Sequence, residues 1–186
     1  MKVLAVSGSL RRDSYNTALL RAAVDLIGAA AEVEVWDGLK AVPPYDGDDD
    51  GADAPAAVGR MRAAFAGAEA ILVATPEYNS SVPGQLKNAL DWLSRPLATN
   101  PLRNKPAAVI GASTGAFGAV WAQAELRKVL STIGARVVEE GVAVGHAPTR
   151  FDADGRLVDD DTREQLAELV ETLVAQTRER ATLQAA

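Results

Sequence analysis

The chain has 186 residues, 48% of them hydrophobic and 24% charged, which favours one domain with a substantial core. A formal net charge of −6 argues against nucleic acid or an anionic membrane as the main partner. The absence of cysteine excludes disulfides, thiolate catalysis and thiolate metal sites, and the apolar run in MKVLAVSGSLRR is too short for a signal peptide or membrane span, so a cytoplasmic protein is expected.

Residues 2–6 read as a short strand entering Ser7-Gly8-Ser9. Over residues 16–28, Leu20, Ala23, Val24 and Ile27 repeat at helical spacing, with Ser14 or Asn16 as the N-cap. Residues 31–36, AEVEVW, alternate valine with glutamate, the pattern of a strand at or near a sheet edge; Trp36 reads as packing. The stretch 37–54, DGLKAVPPYDGDDDGADA, is too rich in Pro, Gly and Asp to fold alone, and its aspartates 48–50 read as a solvated loop rather than a cation site. Pro55 suits the first turn of a helix reaching residue 65 or 66 and stopping at Gly67.

Residues 70–74, AILVA, lack polar alternation and read as a strand buried on both faces. Pro76 cannot continue that strand, and Pro83 restarts the chain as a helix whose Leu86, Ala89, Leu90 and Leu93 form one apolar stripe. Residues 77–82 are therefore a loop at the carboxyl end of a buried strand, where open α/β sheets bind ligands. After a polar connection, residues 106–112 (PAAVIGA) read as a fourth buried strand and 113–118 as a small-residue loop. Residues 119–133 form a helix expected to bury Val120, Ala124, Leu126, Val129, Leu130 and Ile133, and Gly134 ends it. A fifth strand over 136–144, bent at Gly141, an acidic excursion over 146–161 and an amphipathic helix over 162–180 complete the chain. Strands alternating with helices predict a parallel sheet covered on both sides, a doubly wound domain spanning residues 1–186.

In such a fold the loops after strands one, three and four converge. The first, SGSLRRDSYN, carries Ser9, Arg11, Ser14 and Asn16 at a helix N-terminus, an anion site best matched by a terminal phosphate, although a capped turn would need only one of them. It lacks both the G-x-x-x-x-G-K-[ST] order and the G-x-G-x-x-G fingerprint, so a monophosphate on a flat ring fits best. The second, Pro76-Glu77-Tyr78-Asn79, offers a rigid turn, backbone N–H groups and an aromatic ring; the third offers close backbone approach. Neither contains an acid–base pair or a nucleophile beside a histidine, and His146, the one histidine, reads as structural or solvent-facing. A polar site without catalytic side chains implies that a cofactor carries the chemistry.

The segments GSLRRDSYN, PEYNSSVPGQLKNALDWLSRP and GASTGAFGAVWAQAELRKVL resemble, in order and spacing, three signatures of the NADPH-dependent FMN reductase family, the flavodoxin-like group that includes chromate, quinone and azo-dye reductases. The resemblance spans residues 3 to about 145. It implies a flavodoxin-like, doubly wound five-stranded parallel sheet of order 2-1-3-4-5 with helices on both faces, bound FMN, and NADPH or NADH as co-substrate. Electrons would pass to quinone-like acceptors, with chromate, azo and nitro compounds as further candidates, in a homodimer or homotetramer. By motif position Ser9, Arg11, Ser14 and Asn16 would hold the FMN phosphate, with Leu10 and Tyr15 in the same loop. Pro76, Glu77, Tyr78 and Asn79 would line the isoalloxazine largely through backbone groups, and Ser113 and Gly115 would meet it from the third loop. Trp121 stands where many relatives carry an arginine often found at subunit contacts; Trp92 reads as core or as part of a dimer face, and the resemblance, which implies that its helix lies near the subunit interface, favours the latter. The alternative is a flavodoxin-like electron carrier without nicotinamide turnover, disfavoured by Arg11, Arg12 and the moderate charge. A phosphoacceptor receiver domain would need acidic residues after strand one and an aspartate ending strand three, where Ser7 and Thr75 stand.

Overall fold

The five predicted strands all form, as β1 (Lys2–Ser7), β2 (Glu32–Trp36), β3 (Ala70–Ala74), β4 (Pro106–Ala112) and β5 (Arg136–Val144). They make one parallel sheet in the order β2-β1-β3-β4-β5. The structure, a computed structural model, describes residues 1–51 and 54–185; residues 52 and 53 of the irregular stretch lie outside the described residues. Between and after the strands run α1 (Tyr15–Ile27), α2 (Ala56–Gly67), α3 (Gly84–Leu93), α4 (Val120–Thr132) and α5 (Asp160–Ala185).

Every residue of β3 and β4 is buried, which explains why both are continuous apolar runs. Side chains alternate between the two faces of the sheet. Val3, Ala5, Leu72 and Ile110 pack with Leu19 and Leu20 of α1 and Leu166 and Leu173 of α5. Leu4, Val6, Ile71 and Val109 pack with Met61 of α2, Leu86 and Leu90 of α3 and Leu126 of α4. Each such leucine or isoleucine contributes about 2 kcal/mol by leaving water. β2 is an edge strand, and its Val35 stays 51% exposed. Trp36 packs edge-on against Phe65 with ring centroids 5.9 Å apart.

Three expectations are corrected. The first concerns α4, which buries Ala122, Gln123, Leu126 and Leu130, while Val120 and Ala124 are exposed and Val129 and Ile133 half-buried. Gly118 and Ala119, immediately before the helix, both take positive φ, 57° and 62°. Gln123 can be buried because its amide donates to the Gly118 carbonyl at 3.0 Å. Second, Trp92 lies inside the protein and not at a surface: it is 0% exposed, and its indole N–H donates to the Pro43 carbonyl at 2.9 Å. The irregular stretch is thus pinned to α3, with Gln85 also donating to the carbonyls of Leu39 (2.8 Å) and Val42 (2.7 Å). Third, the aspartates 48–50 are not all solvated, because Asp50 accepts from Arg62 at 2.8 Å with its side chain only 10% exposed.

At the pole opposite the carboxyl ends of the strands, Lys105 is 3% exposed, and its ammonium donates to the Phe65 carbonyl. Burial pushes its pKa down from 10.5 to about 8, with Arg180 adding to the depression and Glu69 opposing it. Between those values the unfolded chain binds more protons than the folded one, so stability rises with pH. Relative to Lys105→Met, wild-type stability in urea titrations should climb by on the order of 1 kcal/mol from pH 8 to 10.5. A flat difference would contradict the buried charge.

Candidate cofactor site

Ser7 of β1 pairs with Ala74 of β3, Ala74 with Ile110 of β4, and Ala112 with Val144 of β5, so the carboxyl ends of these strands lie level. The loops that follow them enclose a cleft of about 160 Å³ lined by Ser9, Arg11, Ser14, Tyr15, Asn16, Pro76, Glu77, Tyr78, Ala112, Ser113 and Thr114. Leu10, Asn79 and Gly115 belong to the same loops but stand off the cleft wall. Ala112 and Thr114 were not anticipated; neither carries a distinctive chemistry, and only the register of β4 brings them there. A larger hollow of about 460 Å³ lies between β5 and α5, bordered by Glu140 and Glu168, away from these three loops.

In the first loop Gly8 donates to the Ala74 carbonyl at 2.8 Å, and a side chain there would crowd the Leu86 methyl at 2.8 Å and the Ala74 carbonyl oxygen at 3.2 Å, so the entry is tight. Ser14 caps α1, accepting from the Asn16 N–H at 3.2 Å. The first N–H groups of α1, which helix geometry leaves without intrahelical partners, favour an anion at this end. Ser9 accepts from the Arg11 N–H at 3.4 Å. The exposed Arg11 guanidinium donates only to the Asp13 carbonyl at 3.5 Å and has no carboxylate partner among the described residues. Asn16 lines the cleft and also bridges two elements. It is 4% exposed, and its amide is engaged at both ends with the Ala112 backbone, donating at 2.9 Å and accepting at 2.8 Å. Its side chain therefore ties α1 to β4. Tyr15 packs its ring against Phe151, 5.6 Å between centroids.

In the second loop Tyr78 and Ser81 exchange both backbone hydrogen bonds at 3.1 Å around Asn79 (φ 52°) and Ser80 (φ 60°), the geometry of a type I′ turn. Two successive non-glycine residues at positive φ are costly and need outside support. Glu77 accepts from the N–H groups of Trp121 and Ala122, each at 3.0 Å. Glu125 accepts from the Ser81 hydroxyl at 2.6 Å and from the Val82 N–H at 3.4 Å, and these bonds hold its carboxyl below the ordinary range.

The third loop is braced by β5 and the turn after it. Ser113 donates to the Val144 carbonyl at 3.0 Å, and His146 donates its backbone N–H to the Gly115 carbonyl at 2.8 Å. Gly118 has φ 57°, and a side chain there would meet the Ala143 carbonyl carbon at 2.4 Å. His146, remote in sequence, is adjacent to this loop in space; it is exposed and does not line the cleft. Among the described residues no group of three or more His, Cys, Asp or Glu is placed to hold a metal ion. Likewise, no helix is long and apolar enough to cross a membrane. Around the mouth Leu10, Tyr78, Phe117 and Trp121 are 47%, 49%, 64% and 49% exposed, with Phe117 and Trp121 edge-to-face at 5.0 Å.

A parallel sheet of order 2-1-3-4-5 with helices on both faces is that of the flavodoxin-like class. Residues 1–149 match the profile of the family described as NADPH-dependent FMN reductase. Over 174 residues, 93% of each chain, the sequence is 42% identical to an NAD(P)H-dependent FMN reductase of Pseudomonas aeruginosa. It is 38% identical over 181 residues to a 2-hydroxy-1,4-benzoquinone reductase of a Burkholderia species, covering 97% of this chain and 98% of the relative. Its structure is similar to that of FerB, a flavoenzyme NAD(P)H:(acceptor) oxidoreductase of Paracoccus denitrificans, with a TM-score of 0.86, 37% identity and coverage of 96% and 97%. The chain belongs to the NADPH-dependent FMN reductase family of oxidoreductases.

Proposed function

We propose that the protein is an FMN-dependent NAD(P)H oxidoreductase that delivers electrons to quinone-like acceptors, with residues 1–186 working as one FMN-binding domain. One observation carries this reading: in a chain of this family, the Ser9, Arg11 and Ser14 anion cradle opens onto the same cleft as the turn containing Pro76, Glu77 and Tyr78. The residues present fit a flavin mononucleotide. The hydroxyls of Ser9 and Ser14, the guanidinium of Arg11 and the first turn of α1 would hold its phosphate. Pro76, Glu77, Tyr78, Ser113 and Thr114 would line its ring, with Leu10, Tyr15, Asn79 and Gly115 completing the loops around it. FMN, when bound, supplies the electron transfer from the nicotinamide to the acceptor.

The chain's own part is binding and orientation. Asn16 fixes the start of α1 against β4, so the phosphate anchor and Ser113 keep a constant separation. Tyr78, half exposed, stands at the mouth, where donor and acceptor would enter in turn. The names of several relatives support quinones as acceptors; chromate, azo and nitro compounds extend that list as candidates for an open cleft. NADPH and NADH are both proposed donors. A homodimer or homotetramer in the cytoplasm completes the proposal, with Trp121 in place of the arginine that many relatives carry there.

Fluorescence titration of the apoprotein with FMN should show saturable binding, and Arg11→Ala should weaken it by about 10- to 100-fold, the effect of losing a hydrogen bond to a charged group. NADPH or NADH should then bleach the bound flavin, and a quinone should restore its colour. Absence of FMN binding overturns the reading. Binding without bleaching would identify an electron carrier instead.

A further inference from the structure

The ring-side turn over residues 76–82 is held from outside. The N-cap of α4 is Ala119, which offers no capping side chain and lies at φ 62°, and the first turn of the helix contains no acidic residue. Alanine is among the poorest N-caps. The missing acceptor comes from Glu77, whose carboxylate takes two N–H groups of that first turn at 3.0 Å each. The same carboxylate belongs to a residue of the cleft wall. Four residues into the helix from Trp121, Glu125 takes the Ser81 hydroxyl and the Val82 N–H. Turn and helix are thus tied at two points, with the left-handed Asn79 and Ser80 between them. A serine or aspartate beside α4 could cap the helix without crossing to another loop. Capping alone therefore does not explain why the acceptor comes from the cleft.

We propose that Glu77 is a positioning residue: its carboxylate, seated on the N-terminus of α4, holds the turn over residues 76–81 in the shape that receives the flavin ring. This rests on the FMN reading above. The tie also couples the turn to the exposed Trp121, whose own N–H is one of the two donors. Because the positive end of α4 is matched by Glu77, the α1 N-terminus is left as the anion site of the cleft.

The test compares Glu77→Ala, Glu77→Gln and, as a control for lost stability, Leu130→Ala in the buried face of α4. FMN affinity, the midpoint potential of the bound flavin, its visible circular dichroism, and hydrogen exchange at the Tyr78 and Ser81 amides are measured on the full chain. Glu77→Ala should weaken FMN at least about tenfold, shift the potential and the dichroism, and speed exchange at both amides. Glu77→Gln should recover most of each property, because an amide oxygen can still accept from both N–H groups. Leu130→Ala should lower the melting temperature with affinity, potential and exchange at the turn unchanged. If Glu77→Ala melts early but keeps wild-type affinity, potential and amide exchange, Glu77 is a helix cap only and the proposal fails. If the wild type takes up no FMN, the functional reading fails on its own; the exchange measurement still decides whether Glu77 orders the turn.

Discussion

Asn16→Ala is expected to destabilise the protein by about 2–4 kcal/mol and to weaken FMN binding at least about tenfold, because the buried N–H and C=O of Ala112 would each lose a partner. The two effects share one cause. Asn16, the second residue of α1 and two after the Ser14 cap, is joined to the last residue of β4, directly before Ser113. Without the bridge, the phosphate loop and the third loop are no longer held in one frame. Urea denaturation reads the first effect and flavin fluorescence the second. Asn16→Asp should recover only part of the stability, since a carboxylate can accept from the Ala112 N–H but faces its carbonyl. A loss below about 1 kcal/mol for Asn16→Ala would show that the bridge contributes little.

Trp92→Ala should cost about 3–5 kcal/mol, the range for deleting a large buried aromatic side chain. The indole is fully enclosed, with Tyr45 edge-on at 4.9 Å and the Arg62 guanidinium 5.8 Å from the ring centroid. Arg62 binds the Trp92 carbonyl at 3.0 Å and Asp50 at 2.8 Å, so the side chain sits where α2, α3 and the irregular stretch meet. Trp92→Phe keeps most of the volume and loses the hydrogen bond to Pro43, for about 1–2 kcal/mol. Thermal or urea unfolding measures both. Because the ring is internal, Trp92→Phe should leave the sedimentation behaviour of the protein unchanged. A change of oligomeric state there would restore the interface role expected from the sequence.

Much of the fold was legible before any coordinates. The spans read for β3, β4 and β5 coincide with the observed 70–74, 106–112 and 136–144. Strands buried on both faces are uninterrupted apolar runs, and proline or small polar residues punctuate their ends. The bend expected at Gly141 falls where the pairing of β4 with β5 shifts register. The α4 face was read less well, since an apolar count cannot register a buried glutamine that satisfies itself on Gly118. Punctuation and topology pointed to the three loops that line the cleft, but the side-chain contacts that brace them did not show in the sequence. The Asn16 bridge to Ala112 spans 96 residues and the reach of Glu77 to the start of α4 spans 44, so no short segment displays either contact.

The amino-acid order alone determined the alternation of strands and helices, the parallel sheet, the punctuation of the first loop and the family resemblance. Each of these depends on periodicity, on proline and glycine, or on residue types within one short segment. Tertiary structure alone decided that Trp92 is internal, that Asn16 bridges α1 and β4, that His146 adjoins the third loop, and that Glu77 caps a helix far along the chain. Those outcomes depend on the register and crossovers that bring distant donors to buried acceptors. Such partners must match within about 3 Å, and no local pattern encodes that distance.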